Sequence, residues 1–251
     1  MRAAKLLLIV SLAFIVADCL PKTRQLVKTL WEKGDSFVAL VEFKDDPLAP
    51  YAHPSEMDTK LVARALGTLK YQQIAFFKWG KPKPVFKEEE VQLLSGYIAS
   101  ALAEATDAQL VNFCLRGRRT ELIFPKSVLT CGLVFARDDR LHIVFSPLLV
   151  AEDELEEATD GIPTDPRRRY ELKQRRIFAE PPVLYPPRDE GNPLLKKPHT
   201  NWAVVDVKRL GEAEAGSDIE ARLKKLKELF EKGLITEEEY EQKKKEILED
   251  L

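Results

Sequence analysis

The residues with the widest chemical reach are three histidines, three cysteines and one run of arginines. His53 lies in a proline-containing loop, residues 45–58, near Asp45, Asp46 and Asp58. An imidazole beside carboxylates has the groups that general-base work or metal binding requires. No second histidine stands at helical spacing from it, because His142 and His199 are far along the chain. An isolated loop histidine more often stacks or caps than serves as a base. A hydrolase using His53 and Asp58 is therefore an alternative reading. The chain carries no G-x-S-x-G elbow and no glycine-rich phosphate loop. Glu88, Glu89 and Glu90 open a helical pattern, where they favour the positive helix end rather than acid–base chemistry. No catalytic residue, metal set or cofactor is assigned.

Arg167, Arg168, Arg169, Lys173, Arg175 and Arg176 form the one basic cluster. It has the charge to meet phosphates or anionic head groups, which makes lipid-surface binding a second alternative. The acidic run at residues 152–160 lies just upstream, and only Tyr170 and Phe178 interleave the cluster. A solvated or internally paired segment is the expectation. The net charge of −2 gives no overall field to gather nucleic acid or anionic membrane, and no nucleic-acid partner is expected. At 251 residues, with 45% hydrophobic and 32% charged residues, the chain suits one substantial core with appendages.

Cys19, Cys114 and Cys131 have no CxxC spacing, so a structural zinc site is not expected. Their meaning depends on the N-terminus. Residues 1–19 read as a signal peptide or membrane-targeting segment. Arg2 and Lys5 precede an apolar run, residues 6–17, interrupted by Ser11 alone. The run is short for a membrane span and of the length of a signal h-region. Three forms are open: cleavage near Cys19, acylation of Cys19 as a lipoprotein, or a retained anchor or buried helix. Asp18 departs from the small neutral residue that acylation at Cys19 requires. The exported forms place the body outside the cytoplasm, in the periplasm or attached to the envelope membrane. In that oxidising space a Cys114–Cys131 disulfide is open, the alternative being two buried thiols.

The elements that must position these groups read as an α+β body over residues 22–150. Residues 37–43 form a strand, and Ser55 with Asp58 starts a helix with the stripe Met57, Leu61, Ala65, Leu66 and Leu69. Residues 74–79 read as a second strand. The spacing of Val91, Leu94, Ile98, Ala101, Leu102 and Ala105 predicts a helix over 87–105. Residues 110–116 form a third strand. Residues 128–145 form a hairpin about Asp138-Asp139, with Arg137 facing Arg140 and Phe135 facing His142. The hairpin is apolar on both faces, so both need cover or one meets a partner. The prediction is a mostly antiparallel sheet with two packed helices. Prolines make residues 151–200 an extended crossing segment. Residues 201–210 return as an edge strand, and 211–216 form a flexible tether.

Residues 217–251 read as an α-helical hairpin. Ser217 with Glu220 and Thr236 with Glu239 have capping-box spacing, Ile235 and Tyr240 suit a hydrophobic staple, and Gly233 marks a helix end. Glu220–Lys224, Glu239–Lys243 and Glu241–Lys245 have i,i+4 spacing. Leu223, Leu226, Phe230, Ile235, Tyr240, Ile247 and Leu248 are the candidate interaction residues, on stripes too small to fold firmly alone, which are expected to meet another surface, the alternative being this chain's own body. The order and spacing of the Leu226/Leu229 pair, Gly233, Ile235-Thr236-Glu237-Glu238-Glu239-Tyr240 and the lysines after it resembles the bacterial short C-terminal domain, SHOCT. That resemblance implies an interaction or oligomerisation module without catalytic residues. The expectation is an exported bacterial cell-envelope protein, non-enzymatic. Its hairpin homo-oligomerises or docks another envelope protein, and its N-terminus is a candidate membrane anchor.

Overall fold

The computed structural model describes residues 24–75, 77–121, 124–151, 154, 166–167, 172, 174–184 and 200–248. Residues 1–20, including Cys19, lie outside them, as do Arg168, Arg169, Lys173 and most of the acidic run at 152–160. The architecture is α+β, and every described strand pairing is antiparallel.

The main sheet holds β1 (Arg24–Lys33), β2 (Ser36–Phe43), β6 (Gln109–Glu121), β7 (Phe124–Arg137), β8 (Arg140–Phe145), β12 (Trp202–Asp206) and β11 (Val183–Leu184), in that spatial order. β9 (Val150–Ala151) pairs with β7. The β7–β8 turn is the one expected. Asp138 and Asp139 both take positive φ, 51° and 57°, as a two-residue type I′ loop demands. Arg137 then faces Arg140, and Phe135 faces His142.

Period-2 alternation divides the strands between two buried faces. Val38, Leu40, Val111, Phe113, Val134, Leu141, Ile143, Phe145, Ala203 and Val205 belong to one large core. Helices α1 (Thr59–Thr68) and α2 (Glu88–Glu104) cover it with Val62, Leu66, Leu94, Ile98 and Leu102. Asp58 alone caps α1, accepting from the Lys60 N–H at 2.6 Å. Glu90 of α2 accepts from the Lys87 N–H and holds Arg119 of β6, with Nη1 to Oε1 at 2.8 Å. Val41, Phe43, Leu110, Leu133, Phe135, Val144, Trp202 and Val204 form the second face.

Four expectations need correction. β1 is an extra strand. Its two register shifts, at Leu26/Lys28 and Thr29/Trp31, and its exposed edge position break the alternation that would announce it. The strand expected at 74–79 is instead β3 (Lys70–Ala75), turning into β4 (Lys78–Trp79). Pairing of β3 with β10 (Arg175–Phe178) and β5 (Lys83–Pro84) fixes that register, and the apolar run falls at the turn. β12 is not an edge strand, because β11 pairs outside it. The tether at 211–216 is helical. One helix, α3 (Val207–Glu231), runs without a break from β12 into the C-terminal hairpin, so Ser217 starts no helix. Asp206 caps it, accepting from the Arg209 N–H at 3.0 Å. Gly211 and Gly216 each weaken a helix by about 1 kcal/mol, too little to break one otherwise rich in Ala, Glu, Lys and Leu.

The sheet leaves room for no side chain at Gly132. A Cβ there would stand 2.5 Å from the Val144 carbonyl oxygen and 3.1 Å from the Phe113 ring. Gly132→Ala is predicted to destabilise the chain by roughly 2 kcal/mol or more, read as a fall in the urea midpoint. Gly96→Ala, in α2 with nothing within 4 Å, is predicted to stabilise it by about 0.5–1 kcal/mol.

Candidate interaction surface and the loop histidine

The 45–58 loop does not stand open as a reaction site. It lies across the second face of the sheet. The Tyr51 N–H donates to the Asp107 carbonyl at 2.8 Å, and the Ala52 N–H to the Ala136 carbonyl at 3.0 Å. The Tyr51 ring sits 4.9 Å from Phe135. His53 is buried, and both its nitrogens are taken. The Ala136 N–H donates to Nε2 at 2.9 Å, so Nδ1 carries the proton of the neutral ring and donates to the Gln109 carbonyl at 2.9 Å. Burial lowers the His53 pKa below its ordinary 6.5, against the raising effect of the backbone contacts. A ring held by two backbone groups positions a loop and has no lone pair left for a substrate. Asp58 is spent as the α1 cap. Among the described residues, no group of three or more His, Cys, Asp or Glu could hold a metal ion.

The described members of the basic cluster, Arg167, Arg175 and Arg176, are engaged by different parts of the body. Arg167 is buried against the same loop. Its Nη1 donates to Asp46 Oδ2 at 2.8 Å, with side chains 1% and 3% exposed, and it also donates to the Tyr51 hydroxyl. Its guanidinium lies 4.4 Å from the Phe43 ring centroid. Burial alone would raise the Asp46 pKa; the hydrogen bonds from Arg167, Tyr51 and the Leu48 N–H outweigh it and hold the carboxyl below its ordinary 3.8. For Arg167 the described partners are Asp46 and Tyr51 of the loop, and most of the acidic run lies outside the described residues. Arg175 is buried, and Arg176 donates to Gln72 Oε1 at 2.8 Å and covers the Trp79 ring. Arg167 is therefore unavailable to a lipid head group.

Cys114 and Cys131 are direct cross-strand partners in β6 and β7 and are joined as a disulfide. Further along the second face, His142 stacks on Phe135 at 4.8 Å, and its Nδ1 accepts from the Trp202 indole at 3.2 Å. Its Nε2 has no partner among the described residues. Burial first, then the positive charge of Arg137, pushes its pKa down to about 4, with Asp138 opposing.

The C-terminal hairpin follows its local signals more closely. α3 ends in a Schellman motif: the Gly233 N–H donates to Phe230 O at 2.9 Å and the Leu234 N–H to Leu229 O at 3.0 Å, with Gly233 at φ 67°. Thr236 and Glu239 form the capping box that starts α4 (Glu237–Leu248), with the Thr236 N–H to Glu239 Oε2 at 2.8 Å and the Glu239 N–H to Thr236 Oγ1 at 3.3 Å. The Glu239 carboxylate is occupied by its cap, and Lys243 pairs instead with Glu246 at 2.6 Å; Glu241 takes Lys244 at 3.3 Å, also an i,i+3 pair.

The two stripes meet each other. Leu226 and Ile247 are buried with Leu223, Ile235 and Tyr240 packed around them, in a cluster separate from the cores of the body. The Phe230 and Tyr240 rings lie 4.9 Å apart. Phe230, Leu234 and Leu248 remain 38%, 66% and 42% exposed. Of the seven candidate interaction residues, five build the small core, and Phe230 and Leu248 face outward. Leu234, which lies on neither expected stripe, is the most exposed apolar residue among the described residues of the hairpin; its place just after the Schellman glycine is the signal for it.

Two neutral buried histidines make stability depend on pH. Each has a folded pKa below the unfolded 6.5, so the unfolded chain binds protons first. Full stability is expected above pH 6.5 and is lost as pH falls toward the folded values. For His142 the loss spans 6.5 to about 4, on the order of 3 kcal/mol at about 1.4 kcal/mol per pH unit. Urea midpoints across this range are expected to fall steadily in the parent and less steeply in His142→Gln.

Residues 221–248 match the family model described as SHOCT, short C-terminal domain. No curated protein and no solved structure matches the chain. The segment that forms the last turns of α3, the Gly233 turn and α4 is a SHOCT domain, carried on an α+β body by a continuous helix.

Proposed function

We propose that this chain is an exported, non-enzymatic protein of the bacterial cell envelope, whose SHOCT hairpin joins it to further copies of itself or to another envelope protein. One observation carries the reading. The hairpin closes its own small core and still leaves Phe230, Leu234 and Leu248 on its outside. Apolar side chains at that density on so small a unit are what an association surface requires. The rigid link adds to the case. Val207 and Leu210 at the start of α3 are buried in the body, and Arg64 of α1 donates to the Leu210 carbonyl at 3.4 Å. A helix of 25 residues is about 37 Å long, so it holds the hairpin at a defined distance from that anchor. The apolar run at residues 6–17 and the Cys114–Cys131 disulfide support a site of action in an oxidising compartment. The engagement of both His53 nitrogens by backbone speaks against the alternative of a hydrolase.

Replacing Leu234 and Leu248 with Asp alters exposed positions and is expected to leave the fold intact. Light scattering of the parent is expected to give a multiple of the 28.6 kDa chain, and the double variant a single chain. A monomeric parent would contradict self-association. A photo-crosslinker at position 234 that captured nothing in the cell envelope would contradict docking as well.

A further inference from the structure

The small sheet carries an apolar tip inside a collar of positive charge. β3 turns into β4 through Phe77, which has φ 65° and is 99% exposed. A bulky aromatic in left-handed backbone is uncommon, and this one gains no packing within the chain in return. Ile74 and Trp79, cross-strand partners behind it, are each 39% exposed. From residue 70 to residue 87 the sequence holds Lys70, Lys78, Lys81, Lys83 and Lys87 and no Asp or Glu. Lys70 and Lys87 sit at the far ends and pair with Glu180 and Glu89, at 3.3 and 3.6 Å. Lys78, Lys81 and Lys83 are exposed and make no ion pair among the described residues. The strand packed against β3 adds charge of the same sign, with the Arg176 guanidinium 4.3 Å over the Trp79 ring.

We propose that this tip seats in the interface of an anionic lipid bilayer. Phe77 and Ile74 enter the boundary between head groups and acyl chains. Trp79 lies at head-group level, where amphipathic rings concentrate. Lys78, Lys81 and Lys83 meet lipid phosphates, and surface-bound lysines of this kind each strengthen partition about five-fold. A nucleic acid strand stacks successive bases on several open rings, whereas this tip offers Phe77 alone, since Arg176 covers one face of Trp79. An acidic protein would answer the lysines but leave the isolated Phe77 without a role. The inference does not depend on the hairpin's association, and it uses none of the buried Arg167 contacts.

The test uses the full chain and phosphatidylglycerol vesicles carrying a small share of lipid with a nitroxide-labelled head group, which quenches tryptophan at that depth. Because the readout sits at Trp79, attachment through residues 1–20 does not imitate it. Part of the emission is expected to be quenched in the parent and spared in Trp79→Phe. Phe77→Ser and the triple change K78E/K81E/K83E are expected to raise the lipid concentration needed at least about tenfold. Equal quenching in the parent and Trp79→Phe overturns the proposal, as does indifference to the charge reversal or equal quenching by neutral phosphatidylcholine vesicles. A Trp79 response to an oligonucleotide or to polyglutamate without one to vesicles assigns the tip to another polyanion and overturns it too.

Discussion

A sheet that is apolar on both faces has to be covered twice. Here the alternation of β2, β6, β7, β8 and β12 leaves large side chains on each side, and the described residues before β6 supply two helices. Both go to the same face. The opposite face is closed by a loop, and a loop brings backbone polar groups that must be satisfied once buried. Tyr51, Ala52 and His53 satisfy them against Asp107, Gln109 and Ala136. Arg167 arrives from the proline-rich segment to neutralise Asp46 beneath them. Removing either partner of such a pair leaves a buried charge, which is why the pair specifies the position of the loop more than it adds stability.

This arrangement uses up the reactive groups of the loop. His53, Asp46, Asp58 and the buried Arg167 are all part of the cover. What remains uncommitted is at the periphery, in the outer residues of the hairpin and the Phe77 tip. The two sites differ in kind. The hairpin has its own core and a helical link to the body, whereas the tip is an extension of a sheet that the body itself holds in place.

Local signals were legible where the physics is local. The type I′ turn at Asp138-Asp139, the Thr236–Glu239 box, the Gly233 stop and the α2 stripe depend on residues within a turn or two of one another, and each is found as read. Features set by distant partners were not legible. β3 is placed by β10, a hundred residues away in sequence, against its own apolar run. The strand β1 is hidden by two register shifts. The Asp46–Arg167 pair joins a loop to a segment 121 residues later, and no spacing rule connects them. Ser217 shows the converse error: a valid cap signal loses when the helix already has a start at Asp206 and nothing forces a break.

The account rests on the hairpin being an energetic unit apart from the body. It has a small cluster of buried residues, which places it at the low-stability end of the structure. Native-state hydrogen exchange of the parent and of Leu226→Ala tests this most directly. The account predicts faster exchange in α4 of the variant, with the amides of β6 and β7 unchanged. Loss of protection in β6 and β7 together with α4 would show that hairpin and body share one core, and would contradict it.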